Sequence, residues 1–347
     1  MNDPLEFCVL SGDWGRWRKS CVVTAVAMPE THLILGGCGF MGRHVAILLA
    51  MQGHKVVLAD RSPFAGEFPA AVRDRITWRS FSLEDAPWDE MIDGVSVVHH
   101  YAWASIPATA NADPGADLAS NVSPTLALLD AMQRRGPGNA PRLVFTSSGG
   151  TVYGRLQRVP VHEDHPLSPL NAYGAGKATA ELYISTYSNL HGLDCRIARL
   201  SNPYGAGQNL ARGQGAATTF LYRALNREPI VIWGDGEVVR DYIHVADAAA
   251  GLVALAQTPD TGTAHIFNIG SGQGVSLNAI VAELESELGR RLDVRREPAR
   301  PYDVPVSVLD ISLAQDFLGW SPQLTFSDGI RRTLSDLGRG NDLSSLG

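Results

Sequence analysis

The chain has 347 residues, enough for one large domain or two modest ones around a sizeable core. Its 29 Lys and Arg against 36 Asp and Glu leave a formal charge of −7, which excludes the broad basic face that nucleic-acid binding needs. Hydrophobic residues at 45% exclude a disordered chain, and a charge-free stretch of near-membrane length, Val95 to Ala112, carries His99, His100, Pro107 and Asn111, too many polar groups for a membrane span.

Residues 1–30 read as an N-terminal arm or a leader. Arg16, Arg18 and Lys19 ahead of Cys21 to Met28 mimic a signal peptide, but the apolar run is short for one, and a loose arm upstream of a start at Met28 fits better. Trp14 and Trp17 are its candidate anchors. Over residues 31–200, short β-rich runs alternate with helical periodicity. Strands are expected at His32–Leu35, Lys55–Ala59, Ile76–Ser80, Val95–His99, Leu143–Thr146 and Cys195–Leu200, and helices at Leu118–Met132 and Ala172–His191. This alternation predicts an α/β fold with a doubly wound parallel sheet. Over residues 201–340 Gly and Pro become denser. Strands Ile230–Trp233, His265–Ile269 and Asp293–Arg296 mix there with helices Val245–Gln257 and Leu277–Leu288, which predicts a smaller C-terminal α/β substrate lobe, with the chain free to cross back between the two. The four cysteines, Cys8, Cys21, Cys38 and Cys195, form no CxxC pair and no Cys/His cluster with zinc-ligand spacing, so a reduced, cytoplasmic protein without a structural metal is expected.

Two motifs carry chemistry. Gly36-Gly37-Cys38-Gly39-Phe40-Met41-Gly42 follows the first strand and opens a helix, the context in which glycines let backbone approach a pyrophosphate held on helix N–H groups. Gly36, Gly39, Phe40, Met41 and Gly42 are therefore the expected cofactor-binding turn of a Rossmann-like domain. Asp60, at the end of the second strand, is placed to hold the adenosine ribose hydroxyls and favours NAD over NADP; Arg61 beside it tempers that preference. Tyr173 and Lys177 lie four apart on a predicted helix and so share a face. An ammonium near a phenol favours the phenolate, which makes Tyr173 a candidate proton acceptor.

With these motifs in order, the chain resembles the extended short-chain dehydrogenase/reductases, and within them the NAD-dependent nucleotide-sugar epimerases and dehydratases. The resemblance spans about residues 31–335. It rests on Gly36–Gly42, Asp60, Val97-Val98-His99, Asn121-Val122, Ser147 through Gly154, Tyr173-x-x-x-Lys177, Arg199 with Asn202-Pro203-Tyr204-Gly205, Arg240 through Val245, Phe267 through Gly270, Arg300 through Pro305, and Leu318-Gly319-Trp320. It implies that Tyr173 is the catalytic base, that Lys177 binds the nicotinamide ribose and lowers the tyrosine pKa, and that Asn202, Arg240 and Arg300 hold the substrate diphosphate. It further implies that Asp303 meets the nucleotide ribose, that Ser307 lines the sugar C2 side, and that two copies pair through the segments Leu118–Met132 and Ala172–His191, with Leu126, Leu129, Met132, Leu182 and Ile184 as apolar contributors to a homodimer. Arg240 and Arg300, read in Gly/Pro-flanked loops, also suit bidentate phosphate recognition on chemical grounds; the alternative for Arg240 is a surface ion pair with Asp241.

The pattern departs from the family in three places. Gly149 stands where relatives place a catalytic Ser or Thr, so either Ser148 or Thr151 supplies the hydroxyl, or an ordered water or nothing does and the site is weaker; alternation along an extended segment favours Thr151, while the freedom of the two glycines could swing Ser148 inward. Gly150 and Thr151 stand where dehydratases and decarboxylases carry carboxylates, which leaves epimerisation or ketoreduction. Ser82 replaces an Asp that in many relatives meets adenine. The reading is an NAD-dependent epimerase of a nucleotide sugar, a UDP-sugar foremost, acting at the hexose C4. The alternatives are an NAD(H)-dependent oxidoreductase of the same superfamily and a non-catalytic dinucleotide sensor.

Overall fold

Short apolar runs, buried on both sides, line up side by side to form the main sheet. The computed structural model describes residues 29–209, 215–259, 265–299 and 304–339, so Trp14, Trp17 and the rest of the first 28 residues, with Arg300 and Asp303, lie outside the described residues. The first half runs β1 (Thr31–Leu35), α1 (Phe40–Met51), β2 (Lys55–Asp60), α2 (Ala70–Arg73), β3 (Ile76–Ser80), α3 (Trp88–Met91), β4 (Val97–His100), α4 (Pro107–Ala112), α5 (Pro114–Asp117), a π-helical turn (Leu118–Val122), α6 (Ser123–Arg135), β5 (Arg142–Ser148), α7 (Ala172–His191) and β6 (Cys195–Leu200). The second half runs β7 (Asn202–Tyr204), α8 (Ala216–Leu225), β8 (Ile230–Trp233), β9 (Val239–His244), α9 (Val245–Gln257), β10 (His265–Ile269), β11 (Gly274–Ser276), α10 (Leu277–Leu288), β12 (Val294–Glu297), β13 (Val306–Ser307), α11 (Ser312–Leu318) and α12 (Phe326–Arg339).

Seven parallel strands form the sheet in the order β10-β6-β5-β4-β1-β2-β3. One face is covered by α1 and α9 through Val45, Leu49, Ala248, Leu252 and Leu255, the other by α6 and α7 through Leu128, Leu129, Met132, Ala180 and Ile184. Both faces being dry explains why the strands read as continuous apolar runs. The strand order reverses at β1 and β4, and the crevice outside their carboxyl ends is where such sheets take ligands.

Three expectations change. His265–Ile269, read with the smaller lobe, closes the edge of the main sheet beside β6, because Phe267 and Ile269 find cover under α9 and α11 there. The Leu118–Met132 helix is broken by the π-helical turn, in which Asn121 is buried and bonds Asp117. Leu129, Met132 and Ile184, expected at a dimer contact, are fully buried against the sheet, whereas Leu182 is 63% exposed.

The second lobe is built from α8, α10 and α12 around β8 and β12, with β7, β9, β11 and β13 as a separate small sheet. Arg240 lies within β9 rather than in a loop. Its pairing with Asp241 does not form: Asp241 is buried, and its carboxylate accepts from the Ser271 amide and hydroxyl (both 2.8 Å), the Gly272 amide (3.1 Å) and the Leu309 amide (3.3 Å).

Two buried histidines are expected to make the fold acid-sensitive. His100 bonds the Thr125 hydroxyl at 3.0 Å, and His244 caps α9 by accepting from the Ala246 amide at 3.2 Å; burial pushes each down to about 3. Below about pH 6.5 the unfolded chain takes up protons that these rings refuse in the folded state, so stability falls as pH falls, by up to about 1.4 kcal/mol per pH unit for each ring. Urea unfolding at pH 7 and pH 5 is expected to show this loss. His244→Asn, which keeps a capping acceptor but cannot titrate, should flatten the slope by up to one such increment.

Candidate active site

The glycine turn owes its shape to close approaches. Gly36 has φ +77°, and a Cβ there would sit 2.9 Å from the Ala102 nitrogen; a Cβ at Gly42 would sit 2.6 Å from the Gly36 oxygen. Loop, helix and the segment after β4 therefore meet backbone to backbone. Gly39 caps α1 with no side-chain hydrogen bond and no acidic residue follows in the first turn, so the positive end of the helix is left for an anion. Phe40 and Met41 begin that helix. Asp60 faces the same turn: its Oδ2 accepts from the Cys38 amide at 3.0 Å and its Oδ1 from the Arg61 amide at 2.8 Å, while the Arg61 side chain is exposed. Burial, then the neighbouring Asp60 charge, pushes the Cys38 thiol up to about 11, so it stays protonated.

Tyr173 and Lys177 lie on the first turns of α7, which Asn171 starts by accepting from the Gly174 amide at 2.8 Å. Gly174 and Gly176 let this helix close in: a Cβ at Gly174 would sit 2.8 Å from the Thr151 oxygen, and one at Gly176 2.7 Å from Asp117 Oδ2. Lys177 is buried and donates to the Thr146 oxygen at 2.7 Å, with Nζ 3.8 Å from the centroid of a Trp103 ring, 4.7 Å from Phe145 and 5.9 Å from Tyr173. Burial pushes Lys177 down to about 7 and, ahead of the negative charge of Asp117, pushes Tyr173 up to about 12. Lys177 Nζ thus lies closer to the Trp103 and Phe145 rings than to that of Tyr173, and burial works against the charged form of both side chains.

Ser148 ends β5, and the backbone turns at once. Thr151 and Val152 amides both donate to the Ser148 oxygen, at 3.2 and 3.1 Å, so residues 148–152 form a turn and strand alternation does not apply to them. A side chain at Gly149 would point at Leu309, its Cβ 2.7 Å from Cδ1 and 3.1 Å from the Arg199 oxygen. Leu309 is buried and fills the place a hydroxyl-bearing side chain would need. Thr151 Oγ1 is buried without a hydrogen-bond partner, a polar atom with unmet capacity beside the Tyr173 helix. Gly150 faces Asn202, whose Nδ2 donates to the Asp241 oxygen at 2.8 Å. Arg240 donates to the Val304 oxygen at 2.6 Å, and Ser307, buried in β13, lies opposite Arg240 in the register of β9 and β13.

Trp103 and Asp117 were not legible as site residues. Neither belongs to a spaced motif, and each reaches the tyrosine–lysine pair from a separate segment. Asn121 is in the motif series, and it is this residue that fixes Asp117 at 2.9 Å, with Ser105 as the other donor to that carboxylate.

The model of the NAD dependent epimerase/dehydratase family matches residues 32–270. A UDP-glucose 4-epimerase of Mycolicibacterium smegmatis is 32% identical over 308 residues, covering 87% of this chain and 96% of the relative. Among solved structures, the UDP-glucose 4-epimerase of Thermotoga maritima with UDP-glucose superposes with a TM-score of 0.80 at 28% identity, covering 90% of this chain and 100% of the other. The Thermus thermophilus UDP-glucose 4-epimerase in complex with NAD gives 0.79 at 28%, again over 90% and 100%.

The packing at Gly149 is directly testable. Gly149→Ser should cost about 1–3 kcal/mol in urea unfolding through overpacking against Leu309. Leu309→Ala should then cost less in that background than in the unaltered chain; strictly additive losses would rule out the steric account.

Proposed function

Because this chain belongs to the NAD dependent epimerase/dehydratase family, we propose that it is an NAD-dependent epimerase of a nucleotide sugar, inverting the hexose at C4 through a transient 4-keto intermediate. The observation that carries this reading is the Tyr173–Lys177 pair at the carboxyl ends of the central strands, beside an uncapped glycine turn and with Gly150 and Thr151 offering no carboxylate. Gly36, Gly39 and Gly42 with the first-turn amides of α1 fit a pyrophosphate, and Asp60 fits the adenosine ribose, which favours NAD.

NAD, which Gly36, Gly39, Gly42 and Asp60 would hold, would supply a reversible hydride acceptor and, when oxidised, a positive charge favouring the Tyr173 phenolate. Tyr173 Oη takes the proton from the C4 hydroxyl and gives it back to the C4 oxygen once the opposite face of the ketone is presented. Lys177, released from Thr146, supports the phenolate and binds ribose hydroxyls. Thr151, whose hydroxyl has no other partner, relays the proton in place of the missing side chain at Gly149; Ser148 is the second candidate. Asn202 and Arg240, with Arg300, hold the diphosphate while the ketone turns; Asp303 takes the nucleotide ribose and Ser307 the sugar C2 side.

Purified protein is to be incubated with UDP-, dTDP- and GDP-hexoses and the products resolved. Epimer formation without net NADH is expected, with a UDP-sugar as the best substrate. Tyr173→Phe should lower turnover about 10²–10⁴-fold while nucleotide binding is kept. The absent hydroxyl at Gly149 favours a second reading, a reductase using NAD(H) stoichiometrically, and net NADH turnover would select it.

Among the described residues no helix is long and apolar enough to cross a membrane. Free Cys38 and Cys195 suit a cytoplasmic setting. Leu118, Leu182 and Tyr183, exposed on the π-helical turn and α7, suit a homodimer contact on this outer face. Sedimentation at micromolar concentration should give a dimer that Leu182→Glu dissociates; a monomer before substitution would reject the assembly.

A further inference from the structure

At the opposite end of the sheet from the glycine turn, Glu30, His32 and His54 each offer one ligand atom, all within 4.8 Å of one another. His32, at the start of β1, is fully buried; its Nε2 has no hydrogen-bond partner and lies 3.6 Å from Glu30 Oε2. His54, also buried, comes from the turn between α1 and β2, and its ring meets that of His32 edge-on at 4.7 Å. We infer that Glu30, His32 and His54 form a binding site for a divalent transition metal ion, of which Zn²⁺ is the representative.

The donor set is two imidazoles and one carboxylate, which leaves a fourth position for water. Ligand atoms around a tetrahedral zinc stand about 3.3–3.5 Å apart, so the 3.6 Å already present between His32 and Glu30 fits, and all three ligand atoms lie within 4.8 Å of one another. Behind His32 the fold provides the support that metal-bound imidazoles use: Nδ1 is 2.9 Å from His99 Nε2, and His99 Nδ1 is 2.8 Å from the Tyr101 hydroxyl. In the tautomer that donates from His32 to His99 and from His99 to Tyr101, the orphaned His32 Nε2 presents its lone pair toward Glu30. His54 Nδ1 accepts from the Glu30 amide at 3.2 Å, which holds the ring beside Glu30. Arg142, whose charge reaches His32, is paired with Asp194 at 2.7 Å. A cavity of about 220 Å³ lined by Glu30, Ser96, Arg142 and Asp194 opens beside the site and admits solvent. Linear spacing gave no sign of this cluster, because the third ligand arrives from the next strand's turn.

The test is titration of the metal-free full chain with Zn²⁺ by calorimetry and with Co²⁺ by visible absorption, with Ca²⁺ as a hard-cation control. One saturable equivalent of Zn²⁺, tetrahedral Co²⁺ bands and no Ca²⁺ binding are expected. Glu30→Gln and His54→Gln should each remove the saturable site with unchanged enzyme turnover, and Tyr101→Phe, which keeps all three ligands but ends the hydrogen-bonded chain, should weaken binding about 10-fold or more. Absence of saturable binding overturns the assignment, as does binding that survives both ligand substitutions.

Discussion

The buried ion pair between Arg199 on β6 and Glu181 on α7 is the contact on which the site depends. The guanidinium meets the carboxylate through Nη2 at 2.8 Å and Nε at 3.1 Å, while Nη1 donates to the Tyr153 hydroxyl at 3.0 Å and the Glu163 oxygen at 2.8 Å. Desolvating two charges is tolerable when the polar atoms stay hydrogen-bonded, and here each guanidinium nitrogen has a partner; breaking such a pair typically costs about 3–5 kcal/mol. Glu181 lies one turn beyond Lys177, so this one bond sets the rotation and height of α7 against the sheet and thereby the places of Tyr173 and Lys177. Tyr153 carries the network on to Asn268 of β10 at 2.6 Å, and Asn268 Nδ2 fastens Val161 and Asp310 at 2.9 and 3.0 Å.

A second buried carboxylate ties the smaller lobe to the sheet. Asp241 on β9 holds the segment after β10 through Ser271 and Gly272 and the segment after β13 through Leu309, and there is no room for a side chain at Gly270, where a Cβ would lie 2.6 Å from Asp241 Oδ2. Burial pushes its carboxyl up while four donated hydrogen bonds oppose that. Because Leu309 is anchored here, its side chain is delivered against Gly149. The absence of a side chain at Gly149 and the position of Leu309 are two sides of one packing arrangement, and Thr151, on the turn that follows, is left with an unmet hydroxyl.

The tyrosine–lysine pair stands in electrostatic tension. Burial disfavours both charges of the phenolate–ammonium pair that the chemistry needs, and Asp117 adds a negative charge close by. The aromatic faces of Trp103 and Phe145 and the Thr146 carbonyl hold the ammonium in waiting without bringing it to the phenol.

Local patterns in the sequence determined the strand–helix alternation, the glycine turn with Asp60, and the tyrosine–lysine helix, because each rests on contacts within one turn, one loop or one strand–helix unit. Ile76–Ser80, Cys195–Leu200 and Ala172–His191 lie where periodicity puts them. Only the tertiary structure decided that His265–Ile269 joins the main sheet, that Arg240 sits in a strand facing away from Asp241, and that the expected alternation around Gly149 gives way to a turn. It alone decided that Trp103 and Asp117 flank Lys177 and that Glu30, His32 and His54 converge. Those outcomes depend on which buried polar atom finds which partner across segments distant in sequence, and no periodicity within a segment carries that information.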